Sequence, residues 1–155
     1  MKIMSNILTV PLRGPSELIQ VSSHHINILD NDEIFVFGSN EAGIHGAGAA
    51  RQAKSFGAKQ GIGFGLQGHT YGIPTKDRRI ETLSLRRIGN YADLFYDYAY
   101  AHPEKKFLVT AIGCGLAGYI AEDIAPLFKP ALTIPNIYLP LQFMEILCKS
   151  MTPSR

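Results

Sequence analysis

Tryptophan is absent from this 155-residue sequence, cysteine occurs twice, and 15 basic against 13 acidic side chains leave a formal net charge of only +2. The scarcity of cysteine and of net charge each excludes something. Two cysteines, Cys114 and Cys148, build neither a disulfide framework nor a cysteine metal cluster. A charge of +2 supplies no broad field for DNA or an anionic membrane, and the basic pairs Arg78-Arg79, Arg86-Arg87 and Lys105-Lys106 are scattered. The longest apolar runs are far too short to span a bilayer. The amino-terminal stretch, broken by Asn6, Arg13 and Glu17, makes a poor signal peptide. The expectation is a reduced, cytoplasmic setting, with no metal, no cofactor, and neither nucleic acid nor membrane as partner.

What remains is ordinary globular material, 46% hydrophobic and 18% charged. The length fits one domain over residues 1–155 with a sizeable core. Glycine is the feature with a pattern. Its count of 15 is modestly above the roughly 11 that average usage of about 7% would give. Ten of these lie between Gly38 and Gly72, however, and three more at Gly113, Gly115 and Gly118.

Ile7–Leu12, Ile26–Leu29, Tyr71–Pro74 and Asn136–Leu139 read as short strands. Ile34–Phe37 and Phe107–Ile112 read as stronger ones, because an unbroken apolar run suits a strand buried on both faces. Helices are expected over Ala49–Phe56, over Leu85–Ala99, over Ala121–Phe128 and over Leu141–Cys148. In the second, Leu85, Ile88, Ala92, Phe95 and Ala99 recur at spacings of 3 and 4 up to the turn at His102-Pro103. The alternation implies an α/β fold, a three-layer α/β/α sandwich on a mixed, mainly parallel sheet. Ligands of such sheets bind at the carboxyl ends of the strands. Both glycine clusters follow strong strands and should face one crevice.

The first cluster runs Gly38-Ser39-Asn40-Glu41-Ala42-Gly43-Ile44-His45-Gly46-Ala47-Gly48-Ala49-Ala50. If a helix opens at Ala49, Gly46 and Gly48 aim amides at whatever lies over its start, which suits phosphate. A tight strand-to-helix connection with no ligand reads equally well. The second cluster, Gly113-Cys114-Gly115-Leu116-Ala117-Gly118-Tyr119, satisfies G-x-G-x-x-G. Dinucleotide binding wants an acid about 20 positions on, and Ile134–Pro140 holds none. A second match at Gly63–Gly68 follows no convincing strand, and no G-x-x-x-x-G-K-[ST] run exists. What survives is a second loop able to cradle phosphate through backbone amides.

Phe35-Val36-Phe37-Gly38-Ser39-Asn40 with Gly43-x-His45-Gly46-x-Gly48-Ala49-Ala50, then Tyr71-x-Ile73-Pro74-Thr75-Lys76-Asp77, then Val109-Thr110-x-Ile112-Gly113 through Tyr119, resembles the macro domain, an ADP-ribose-binding α/β/α module. The likeness is nearest to a small bacterial and phage branch of that superfamily and spans roughly residues 34 to 140. It implies ADP-ribose across the crevice, its diphosphate between a first loop of Gly38, Ser39, Gly43, Gly46, Gly48 and Ala49 and a second of Gly113, Cys114, Gly115, Leu116, Ala117, Gly118 and Tyr119. It also implies that Asn40 contacts the distal ribose and serves hydrolysis of an ester or glycosidic bond there, as an ADP-ribosyl hydrolase or an ADP-ribose-1″-phosphatase-like enzyme would. The alternatives are a non-catalytic reader of free or protein-attached ADP-ribose, and a site for another phosphorylated small molecule. Two departures stand out. Ala117 occupies a place where many macro domains carry an aromatic residue, so Tyr119 compensates only by turning inward. For the acid that reads adenine there are only Asn27, Asp30 and Asp32.

Single side chains leave alternatives open. Asn40 suits its own turn as well as a ligand. His45 could move protons, although a lone histidine usually does not. Cys114 at a helix start could be a nucleophile, but a small thiol packed under the loop is the plainer reading. Lys76 could meet phosphate or solvent. His24, His25 and His69 lack companions for a metal site. Tyr91, Tyr96, Tyr98 and Tyr100 read as packing, since stacking on single-stranded nucleic acid would need a basic groove.

Overall fold

The computed structural model describes residues 4–150. In chain order its elements are β1 (Ile7–Pro11), β2 (Leu18–Ser22), β3 (Glu33–Asn40), α1 (Gly48–Lys54), β4 (Gly65–Gln67), β5 (Thr70–Lys76), α2 (Leu85–Ala101), β6 (Lys106–Val109), α3 (Ala121–Ile124), a 3-10 helix (Ala125–Thr133), β7 (Ile137–Tyr138) and α4 (Leu141–Ser150). The apolar run Ile34–Phe37 forms the middle of β3, and all of its residues are buried. A strand with no solvent face needs neighbours on both edges and cover on both sides, and β3 has them. It pairs in parallel with β5 and with β6, β7 extends the parallel set beyond β6, and β4 adds one antiparallel strand beyond β5. The order is β4-β5-β3-β6-β7, a mixed and mostly parallel sheet. The strands β1 and β2 form a separate antiparallel pair.

Side chains alternate along a strand, so β3 feeds two hydrophobic clusters. Ile34 and Val36 join Tyr71, Ile73, Phe107 and Val109 on one face, where Ile88, Ala92 and Phe95 of α2 and Phe143 and Leu147 of α4 cover them. Phe35 and Phe37 join Leu108 on the other, against Ile26 and against Ala50 and Ala53 of α1. At roughly 1.5–3 kcal/mol for each large side chain fully buried, these clusters dominate what holds the crevice walls in place. The helix α2 starts where Ser84 accepts a hydrogen bond from the Arg87 amide at 3.2 Å, an N-cap of the usual kind.

Two expectations need correction, and two strands appear where none was expected. Ile26–Leu29 is not a strand: the Ile26 carbonyl is taken by the Gln52 side chain and the Ile28 carbonyl by the Asn6 amide at 2.7 Å, so side chains satisfy groups that a ladder would have used. The helix expected over Ala121–Phe128 is α-helical only to Ile124. It continues as a 3-10 helix in which Pro126 and Pro130 can donate no backbone hydrogen bond. Finally, β2 and the three-residue β4 were not anticipated; the latter lies inside the glycine-rich stretch, where no apolar run marks it.

Candidate functional site

Beyond the carboxyl ends of β3, β5 and β6 the chain leaves a crevice of about 440 Å³, within the roughly 300–1,000 Å³ range of small-molecule sites. Residues of both glycine loops line it. From the first come Gly38, Ser39, Asn40, Gly46, Gly48 and Ala49, and from the second Gly113, Gly115, Leu116 and Ala117. Thr75, Lys76 and Ile80 contribute from the end of β5 and the turn after it, and Thr110 to Ile112 from the end of β6. The loops approach each other closely. A Leu116 methyl lies 3.9 Å from where a Cβ on Gly48 would stand.

Asn40 closes its own loop. Its side-chain NH₂ donates to the Ile44 carbonyl at 2.7 Å, and its Oδ1 accepts from the Ile44 amide at 2.9 Å. One N–H and one lone pair remain, and the residue lines the crevice. The following residue anchors the loop to α2: the Glu41 carboxylate receives two bonds from Arg87, each 3.0 Å, and a third from the Tyr91 hydroxyl. Burial, then that hydrogen bond and the carboxylate's charge, push the Tyr91 phenol above its ordinary range, so it stays a donor. Ser39 is also committed, its hydroxyl donating to the Gly63 carbonyl.

The glycines divide by what surrounds them. Gly43 has φ +71° and a Cβ there would lie 2.7 Å from the Gly61 Cα, so it serves the crossing of two loop segments. A Cβ on Gly63 would overlap the Asn40 carbonyl, and one on Gly113 would sit 2.7 Å from an Ile124 methyl. Gly46 and Gly115 differ. Both line the crevice, neither has a left-handed φ, and a Cβ on either would meet no atom of the described residues within 4 Å. Near Gly46, the start of α1 has no side-chain cap, and the first amides of a helix have no intrahelical partner.

Five residues assigned to the site from sequence do not line the crevice: Gly43, His45, Cys114, Gly118 and Tyr119. His45 is fully buried. Its Nε2 sits 3.1 Å from the Lys59 carbonyl and 3.0 Å from that of Ile62, so the proton is assigned to Nε2, the nitrogen facing acceptors. Its ring edge meets Phe37 with centroids 5.5 Å apart, and Nδ1 has no partner among the described residues. His45 braces the Gly43–Gly63 loop and has no open path to the crevice. Tyr119 turns away as well, its hydroxyl donating to the Leu83 carbonyl at 2.7 Å. It therefore does not stand in for the aromatic residue absent at Ala117. Cys114 is half-buried, and burial, followed by the charges of Glu122 and Asp123, raises its thiol above the ordinary range. That is the reverse of what a nucleophile requires.

Sequence reading missed Ile44, Ile80 and Thr110 as lining residues and Glu41, Arg87 and Tyr91 as the anchor behind Asn40. Thr110 had a signal, its place at the end of a strong strand. The others are brought in by the fold. Among the described residues that line the crevice, Lys76 is the one charged side chain, and no ion pair among the described residues engages it. Among the described residues, no group of three or more His, Cys, Asp and Glu is placed to hold a metal ion, and no helix is long and apolar enough to cross a membrane. In comparisons with known proteins, the chain matches no protein-family model, no curated protein and no solved structure.

Proposed function

We propose that this chain is a macro-like α/β/α domain that binds ADP-ribose, or a close nucleotide-diphosphate derivative, between its two glycine loops. The observation that carries the reading is the pair Gly46 and Gly115, which sit in different loops lining one crevice. Neither the conformation of these residues nor the packing of the described residues calls for glycine. A ligand that approaches the backbone closely does call for it. Amides in such loops suit the oxygens of a diphosphate, and Lys76 adds one positive charge with no carboxylate among the lining residues to oppose it.

The same lining favours a reader over a hydrolase. Lys76 is the one titratable side chain among the described lining residues, so no carboxylate, imidazole or thiol is placed there for acid–base or nucleophilic chemistry. Asn40 holds a ribose hydroxyl through its spare donor and acceptor and fixes the ligand's orientation. Calorimetry with ADP-ribose tests binding: heat is expected, with at least tenfold weakening in Lys76→Ala. Absence of both heat and thermal shift at millimolar ligand would falsify the reading. Incubation with ADP-ribosylated protein is expected to give a complex without release of ADP-ribose. Turnover that disappears in Asn40→Ala would reinstate the hydrolase.

A further inference from the structure

The turn that follows β5 holds the one non-glycine residue with a positive φ among those described, Ile80 at +65°. A β-branched side chain rarely adopts that conformation, and it persists only where the surroundings over-determine it. Here they do. The Asp77 amide donates to the Glu81 carbonyl at 2.8 Å, and the Ile80 amide to the Asp77 carbonyl at 3.0 Å. One Asp77 carboxylate oxygen accepts from the amides of Arg79 and Glu81 at 2.8 and 3.0 Å. The Leu83 amide donates to the Thr75 carbonyl at 2.8 Å. The turn is also tied to the second glycine loop, since the Thr82 hydroxyl donates to the Ala117 carbonyl at 2.9 Å.

This construction turns an aliphatic side chain toward the crevice, where it stays 39% exposed. Two further exposed aliphatics line the same crevice from the two glycine loops, Ile44 at 49% and Leu116 at 70%. Three aliphatic side chains left half in water around one opening have an unmet tendency to be covered. The same lining also holds backbone of both glycine loops, Asn40 and Lys76, which suit anionic and hydroxyl groups.

Building on the function proposed above, we infer that Ile80, with Ile44 and Leu116, forms an apolar clamp for the apolar surface of an uncharged group carried by the phosphorylated ligand, either its nucleobase or an acyl substituent on its sugar. The turn is the third wall of the site and its specificity-determining element. Its left-handed residue is held at a cost to folding because the side chain serves binding.

The experiment compares the parent chain with Ile80→Gly and Ile80→Asn by thermal unfolding and by calorimetry with ADP, O-acetyl-ADP-ribose and pyrophosphate, the last also as a competitor. Glycine and asparagine both tolerate a left-handed φ, so the turn survives while the aliphatic surface is lost. Ile80→Gly is expected to melt higher than the parent. Both variants should bind O-acetyl-ADP-ribose about tenfold more weakly, with pyrophosphate unchanged. Equal loss for ADP identifies the base as the clamped group; loss confined to O-acetyl-ADP-ribose identifies the acyl group. Undiminished affinity for both nucleotides in both variants, or the same loss for pyrophosphate, overturns the clamp while leaving nucleotide binding intact. Failure of the parent to bind any of the three overturns the proposed function and the clamp with it.

Discussion

Gly63 and Gly115 belong to loops of similar composition, yet the molecule treats them oppositely. At Gly63 the Asn40 carbonyl fills the space a side chain would take, and a Cβ on its neighbour Gly72 would in turn meet the Gly63 backbone. At Gly115 that space is open and belongs to the crevice. The first kind of glycine lets strand β3 and the segment before β4 run against each other; the second leaves room that no described residue fills. One glycine-rich sequence thus contains a structural set and a crevice-facing set. Which residue belongs to which follows from what lies beyond the missing Cβ.

The largest effect that sharpens this contrast is expected at the structural glycine. Gly63→Ala should lose about 3 kcal/mol or more of stability, at the upper end of overpacking costs, read by urea denaturation. A loss below about 1 kcal/mol would break the distinction. Asn40 stands between the two sets, lining the crevice while holding Ile44 through two hydrogen bonds. Asn40→Ala should cost about 1–3 kcal/mol of stability and weaken binding as well. A stability unchanged from the parent would show that the loop is closed by other contacts.

Gly115→Ala tests the other side. Its stability should be unchanged or raised by up to about 1 kcal/mol, while ADP-ribose affinity falls about tenfold, a difference of about 1.4 kcal/mol. Destabilisation with affinity retained would move Gly115 into the structural set. Smaller again is the anchor behind Asn40. The Arg87 side chain is 52% exposed, so solvent screening holds its bidentate pair with Glu41 to under about 1 kcal/mol in Arg87→Ala. A loss of affinity larger than the loss of stability would show that the anchor positions the crevice wall. Smallest is a chemical rate. With its thiol pushed up by burial and by Glu122 and Asp123, Cys114 holds less thiolate at pH 8 than free cysteine and should be alkylated more slowly by iodoacetamide. Faster alkylation would revive it as a nucleophile.

Much of the scaffold was legible because its signals are local. The apolar runs that became β3 and β6, and the 3-and-4 spacing that became α2, depend on the neighbours of each residue in sequence. The strand expected at Ile26–Leu29 failed for a non-local reason, since Gln52 and Asn6 reach its carbonyls from elsewhere. His45 failed likewise. A histidine within a glycine-rich loop looks available to a ligand, and only the positions of the Lys59 and Ile62 carbonyls show it enclosed. The clamp was invisible because Ile44, Ile80 and Leu116 come from three separate turns.

A mixed, mainly parallel α/β sheet with glycine-rich loops after two buried strands follows from local pattern alone, because hydrophobic period and turn chemistry are properties of short segments. Folding in three dimensions settles which glycines are spoken for by the chain, brings Lys76 and Ile80 to one opening with Asn40, and leaves His45, Cys114 and Tyr119 outside its lining. The physical reason is steric. Whether the space above a backbone atom is filled depends on residues up to 75 positions distant, as where Gly113 approaches Gly38, and those meet only when the sheet forms.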